Sequence, residues 1–348
     1  MAPREQAAKV LRDLPCPSSY SQPNTFDSWS GPRGFSSLLR CHRIPSGAQL
    51  PFPVPLDEHL AAIPVTLLDP ILAQLAEDCE HMSPSSADCS FTERVAESMS
   101  RAYDFEENRL AAVWNLFKDE FRCSLVRKHI GNGIMTDGSY IRCNGLVLNL
   151  EIKNEIGTGG GSPHIQNACV SGSHASSVES KSIRDISVCP TLLVEMAGPN
   201  MSLSGSVFSA CAICDQLTPM VPLLWLPHSP MMLQAARCFG ALRRALRSLE
   251  SFYISLSRRT EPDRQLQYPY PNTFTALDGT DVAFRYTSAL TPRCFTAQAG
   301  QQQLVVKFAR TYSSRAHHFL AGQGYAPRLL HTCDLPGGWV TMHSHALP

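Results

Sequence analysis

The sequence predicts an α/β (α+β) protein: a helical region first, then a mixed sheet, a long linking helix, and a second group of strands. Three observations predict it. Apolar residues recur at spacings of three and four in 55–130 and again in 230–256. Short β-prone runs, punctuated by Gly, Asn and Pro, fill 131–226. A strand-rich stretch over 269–348 follows a linker of prolines and charges, "RRTEPDRQLQYPYPNTF". At roughly 100–200 residues per domain, the 348 residues predict about two domains.

Taken in order, residues 1–54 are rich in Pro, Ser, Gly and Arg and predict a disordered arm. Residues 55–130 predict helices. "LLDPILAQLAEDCEHM" places Leu68, Ile71, Leu72 and Leu75 on one apolar face, and "FTERVAESMSRAYDFEENRLAAVWNLFKDEFRC" gives one or two long amphipathic helices up to Gly131–Gly133. Residues 131–260 predict an α/β core with a long helix. "GIMTDGSYIRC" and "GLVLNLEIKNE" read as two strands joined by a turn at "CNG", with Asn144-Gly145 as the hairpin signal. "SPHIQNACVSGSHASSV" opens with Ser then Pro, a helix start. "CPTLLVEMAGPNMSLSGSVFSACAICDQLTPMVPLLWL" reads as two more strands turning at "GPN". In "PMMLQAARCFGALRRALRSLESFYISL", the apolar face is backed by Arg243, Arg244 and Arg247, read as a solvated basic face. Residues 269–348 predict three strands, a helix at "SSRAHHFLAGQG" and a strand pair turning at Pro-Gly-Gly.

Composition bounds the function. Hydrophobic residues are 43% and charged residues 17%, enough for a sizeable core. Formal net charge is zero, so bulk charge does not drive nucleic-acid binding, although local basic patches remain open. No apolar run reaches about 18 residues, so no membrane partner is expected. The thirteen cysteines are scattered, and no apolar leader precedes them, which predicts reduced thiols in the cytoplasm or nucleus. Cys211 and Cys214 form a lone C-x-x-C without a second pair, so strand cysteines are expected rather than a zinc site. Protein partners are left undetermined.

Two constellations carry chemistry. Strand alternation puts Glu151 and Lys153 on one face, and the hairpin brings Asp137 beside Glu151. Two carboxylates are hard oxygen ligands for Mg²⁺ or Mn²⁺, so Asp137 and Glu151 are the candidate metal ligands. Such a metal would activate a water and stabilise charge on a phosphodiester, with the lysine positioning that water or neutralising the transition state. This Asp…Glu-x-Lys pattern resembles the PD-(D/E)xK nuclease superfamily over about residues 100–226. The resemblance implies an αβββαβ core, a nucleic-acid substrate, a supporting glutamate on the preceding helix, matched by Glu107, and a glutamine on the following helix, matched by Gln166. Thr136 stands where that pattern has proline. The alternative for the same residues is a lysine–glutamate pair on a solvated sheet face.

The glycines after Lys153 lack the Lys-Ser/Thr of a phosphate loop and lie behind the charged residues, so they read as a turn delivering Gln166. No G-x-S-x-G elbow is present, and His317, His318, His343 and His345 lack partners at ligand spacing. The second constellation is Lys307 in "QQLVVKFART", a strand lysine after Val-Val as in a protein-kinase N-lobe, where it would hold nucleotide phosphates. No glycine-rich loop precedes it, and Arg315 and His317 stand where a partner glutamate would.

Taken together, "IPVTLLDPILAQLAEDCEHMSP", "TDGSY…LEIKNEIGTGGGSPHIQ", "AARCFGALRRALRSLESFY", "YPYPNTF" and "VVKFARTY…LPGGWV" resemble a fungal (basidiomycete) protein-kinase-like family, over about residues 55–342. In it a nuclease-like region precedes a kinase-like domain. The resemblance implies a partial N-lobe here, truncated at "TMHSHALP", with no His-Arg-Asp or Asp-Phe-Gly loop; ATP use by this chain is then not expected. Three readings stand: a kinase-family member inactive as a kinase, a Mg²⁺-dependent nuclease, and a non-catalytic binding module.

Overall fold

A computed structural model describes residues 4–5, 8–9, 39–42, 62–130, 134–157, 162–226, 229–258, 265–276 and 279–346. Most of the predicted arm, the predicted helix start at "PLDEHLAAIP" and the glycines at 159–161 lie outside them.

The first elements are a strand β1 (Leu39–His42) and helices α1 (Val65–Leu68), α2 (Pro70–His81), α3 (Ser86–Met99) and α4 (Glu106–Phe121). The apolar run expected as one helix breaks at Asp69-Pro70. Proline cannot continue α1, and the Asp69 carboxylate caps α2 by accepting from the Ile71 and Leu72 amides. β1 corrects the reading of 1–54 as wholly disordered: Leu39–His42 run parallel to the strand at Ala212–Asp215.

Strands β2 (His129–Ile130) and β3 (Ile134–Met135) pair with each other. Then come β4 (Gly138–Arg142), β5 (Gly145–Lys153), helices α5 (Pro163–Ser176) and α6 (Lys181–Ile186), β6 (Thr191–Ala197), β7 (Asn200–Phe208), β8 (Ala212–Gln216), the short β9 (Val221–Pro222) and the long α7 (Pro230–Leu256). The expected two strands after Cys189 are thus three with an edge piece, because β7 pairs with β6, β8 and β9. The sheet runs β1-β8-β7-β6-β5-β4 and is mixed: β1/β8 and β5/β6 are parallel, the rest antiparallel.

One face of this sheet is apolar. Leu148, Leu150, Ile152, Leu192, Val194 and Leu203 join α2, α3 and α7 in the main core, where Phe91 meets Phe117, Phe121 and Phe239 edge to face. The other face is polar and lies under α5, whose Asn167 reaches β5 and β6. A bulge at Val147 sets which residue faces which side. It shifts the alternation so that Leu146 packs on Val170 of α5 and Asn149, three residues on, also turns to α5.

The turn falls within the expected Cys-Asn-Gly, at Cys143 and Asn144, both at positive φ, one residue before the Asn-Gly pair that signals it. Gly145 instead opens β5, where a Cβ would lie 2.2 Å from the Tyr253 ring of α7. Arg243 is also corrected. Its guanidinium is not solvated but bonded to Asp88 of α3 and Glu120 of α4, so it clamps three helices together.

The second sheet follows β10 (Thr273–Thr275) and β11 (Asp281–Ala283). It comprises β12 (Arg285–Thr291), β13 (Cys294–Ala299), β14 (Gln302–Ala309), helix α8 (Ser314–Gly322), β15 (Leu329–Leu335) and β16 (Trp339–His345), in the antiparallel order β12-β13-β14-β16-β15. Its core is Phe274, Phe284, Tyr286, Phe295, Val306, Phe308 and Trp339, with Leu67 of α1 inserted from the first unit. Among the described residues, no helix is long and apolar enough to cross a membrane.

Candidate functional site

The site sits on the polar face at the C-terminal end of β5, at the open end of the β4–β5 hairpin. Asp137 precedes β4 rather than ending a strand. Gly138 pairs with Leu150, so the same antiparallel register sets Asp137 opposite Glu151. The Asp137 carboxylate accepts from the Ile152 amide at 2.9 Å, which fixes its direction, and it lies within hydrogen-bonding reach of the Glu151 carboxyl. Glu151 is 4% exposed. Burial first, and the Asp137 charge second, push its pKa up to about 8, against the opposing pull of the Asn149 amide and Lys153. The pair therefore holds a proton near neutral pH.

Lys153, two residues along the same face, is buried and its Nζ lies 3.5 Å from Glu106 Oε1. The helix glutamate at the site is thus Glu106, not Glu107. Glu107 is exposed one position further round α4, whereas Glu106 meets both the Lys153 ammonium and the Asn154 amide. Burial and the Asp137 charge raise the Glu106 pKa, and Lys153 offsets them. Arg109 fastens α4 to the end of β5. Its buried guanidinium reaches the Met99 carbonyl, Asn154 and Glu155, and lies over the Tyr103 ring at 4.6 Å.

A line of amides continues inward. Ser139 donates to Asn149, Asn149 donates to Glu151 and Asn167, and Asn167 donates to the Val194 carbonyl. Every member is buried and satisfied, which holds Glu151 in one orientation. Gln166 lies on the flank of α5 that turns to the β4–β5 hairpin, one turn before Val170. Its Oε1 is buried and has no hydrogen-bond partner.

The same face carries a third carboxylate. Glu151 pairs with Glu195 of β6, and Glu195 pairs with Ser202 of β7, so Asp137, Glu151, Glu195 and Ser202 form one row across four strands. Sequence reading missed Glu195, Asn149, Asn167, His164 and Glu106. A signal existed for two of them: Asn149 alternates with Glu151, and Glu195 is a lone charge inside the apolar "TLLVEMA".

Among the described residues, no group of three or more His, Cys, Asp or Glu side chains is placed to hold a metal ion. The arrangement offers the Asp137–Glu151 pair and not a closed protein cage. Lys307 is exposed on the open face of the second sheet, between Cys294 of β13 and Met342 of β16. The following helix, α8, contains no acidic residue to pair with it. Lys307, expected to hold nucleotide phosphates, thus stands at an exposed strand position with no acidic partner on α8. His343 lies in the core of that sheet, stacked on Phe274, and His317 holds the Pro327 carbonyl.

Comparison with protein-family models, with curated proteins and with solved structures gave no match.

Proposed function

We propose that the chain is a Mg²⁺-dependent phosphodiester hydrolase of the PD-(D/E)xK type, acting on nucleic acid. The observation that carries this reading is the registry of Asp137 opposite Glu151, with Lys153 two residues further on the same buried face. Two carboxylates in contact, one retaining a proton through the charge of the other, are a place where a divalent cation can displace that proton. Mg²⁺ is commonly held by one or two carboxylates, with waters and substrate phosphate completing its shell, so the absence of a larger cage fits. When bound, the ion supplies a polarised phosphodiester and an activated water.

The chain's own residues do the rest. Asp137 and Glu151 hold the cation, and Asn149 keeps Glu151 aimed. Lys153, anchored by Glu106, places a positive charge where charge grows on the phosphorus oxygens. Gln166 offers a buried carbonyl oxygen to a water at the same end. The order α4, β4, β5, α5, α6, β6 supports part of the αβββαβ reading, although the short β2 and β3 pair only with each other, outside the main sheet.

We further infer a kinase-like ancestry for the second sheet. Its support is the order of three strands, helix and strand pair, with Lys307 on the third strand. With Lys307 exposed, that unit is best read as a recognition module.

The test is cleavage of DNA and of RNA with and without Mg²⁺, by the wild type and Lys153→Ala. Removing a charge-stabilising group of this kind costs about 10²–10³-fold in rate, and that loss is expected. Equal cleavage by the two proteins removes the assignment.

A further inference from the structure

Two helices on the apolar face of the first sheet, α2 and α7, each bring a cysteine to their shared seam. Cys79 and Cys238 are both buried. Both are free thiols, and each lies within hydrogen-bonding reach of the other. Small residues let the helices come this close. A Cβ on Gly240 of α7 would lie 2.7 Å from the end of Met82, the residue that closes α2. A disulfide holds its Cβ atoms about 3.5–4.5 Å apart, a short step from thiols already in contact.

The two sulfurs are not alike. Gln234, one turn before Cys238, turns its amide into the seam. Its Nε2 donates to the Cys79 carbonyl at 2.9 Å and reaches Cys238 Sγ at 3.7 Å. Arg237 stands beside them, with its Nε on the Met82 carbonyl at 3.2 Å. Cys238 thus meets the Cys79 thiol, an amide donor and a nearby positive charge. The Cys79 contact leads, against burial, and the Cys238 pKa falls. The Cys79 pKa rises, through the same contact first and burial second, and the charges of Asp78 and Glu80 add to the rise. Thiolate character therefore collects on Cys238. An open groove of about 290 Å³ runs along the same seam, lined by Leu75, Asp78, Ala241 and Ala245 among others. Leu75 is one turn from Cys79, and Ala241 one turn from Cys238, so the groove leads a small solute to within a turn of the pair.

We propose that Cys79 and Cys238 are a reversible disulfide site whose oxidant is a hydroperoxide, with Cys238 as the attacking sulfur. With hydrogen peroxide, the Cys238 thiolate forms an S–O bond as the O–O bond breaks, and the hydroxide that departs takes a proton and leaves as water. The Cys79 sulfur then attacks the sulfenic sulfur. The S–S bond closes, and the hydroxide released leaves with the Cys79 proton as a second water. The two thiols together lose two electrons, and the peroxide gains them. The seam lies on the opposite side of the sheet from Asp137 and Glu151, so the proposal does not rest on the hydrolase reading.

The experiment treats the folded, reduced full chain with hydrogen peroxide, blocks the remaining thiols, digests without reductant and maps the peptides by mass spectrometry. A linked Cys79–Cys238 peptide pair is expected. The oxidised protein should melt at a higher temperature than the reduced one, because the link constrains the unfolded chain, and dithiothreitol should reverse both. Cys79→Ser keeps a hydroxyl donor for Cys238 but no second thiol, so dimedone should trap sulfenic acid at Cys238. Cys238→Ser should give no adduct at Cys79. A folded wild type in which peroxide oxidises the exposed Cys89 while Cys79 and Cys238 stay free thiols overturns the proposal, with no variant needed. A link that forms only in urea overturns it too, since the native seam then does not offer the pair to peroxide. Dimedone at Cys79 in a folded Cys238→Ser, with none at Cys238 in a folded Cys79→Ser, overturns the assignment of Cys238 as the attacking sulfur.

Discussion

At the scale of single residues, Glu151 decides most. Its folded pKa of about 8 stands above the ordinary value of about 4.3 because burial and Asp137 disfavour its charge. A raised carboxyl contributes stability while it is protonated. That contribution is fully present below the unfolded pKa and is lost as pH rises from about 4.3 toward 8, at up to about 1.4 kcal/mol per pH unit. The melting temperature should fall across that window, and Glu151→Gln should flatten the fall. A cation at the pair competes with the proton, so added Mg²⁺ should raise the wild-type melting temperature more at pH 8 than at pH 5. Calorimetry with and without Mg²⁺ measures both. A Mg²⁺ effect independent of pH, or unchanged in Glu151→Gln, separates the cation from this carboxyl pair.

At the scale of elements, the hairpin that bears the site depends on one glycine. The Tyr253 ring occupies the space where a side chain at Gly145 would go, and its hydroxyl donates to the Pro190 carbonyl at 2.8 Å. Gly145→Ala forces the hairpin off α7 and should cost about 1–3 kcal/mol, as overpacking of a filled core does. Urea melts of Gly145→Ala and wild type measure it, and an unchanged midpoint refutes the close packing. The same hairpin shows what the sequence made legible. Alternation along "LEIK" placed Glu151 and Lys153 together, and the strong periodicity of 230–256 predicted α7. Local pattern was not enough for Glu106 over Glu107, because which of two neighbouring glutamates faces the sheet depends on how α4 packs, through Arg109, on the end of β5. Nor could it show that Arg243 is clamped, since Asp88 and Glu120 lie more than a hundred residues away in the chain. Leu39–His42 form a strand only because β8 offers an edge, so composition alone read them as a loose arm.

At the scale of the whole molecule, the two sheets are joined by a specific contact far from the site. The Pro-Gly-Gly turn of β15 and β16 enters between α1 and α2, with Gly337 and Gly338 both at positive φ. Their amides donate to Glu77 Oε2, each at 3.1 Å, and the Trp339 indole donates to Thr66 Oγ1 at 2.9 Å. Arg310 covers the Trp339 ring and bonds the Gly337 carbonyl. Two amide bonds to one carboxylate make Glu77 the group whose loss leaves the turn without an acceptor. Glu77→Ala should weaken the junction by roughly 1.5–3 kcal/mol, the range for hydrogen bonds to a charged group. The helices that carry Glu77 lie against the apolar face of the first sheet, whereas Asp137, Glu151 and Lys153 point to the polar face under α5. Loosening the junction should therefore leave cleavage intact. Hydrogen exchange at the Gly337 and Gly338 amides should quicken in Glu77→Ala, while Mg²⁺-dependent cleavage stays at the wild-type rate. Loss of cleavage in a folded Glu77→Ala would mean that the second sheet helps hold the site, and that the two units act as one.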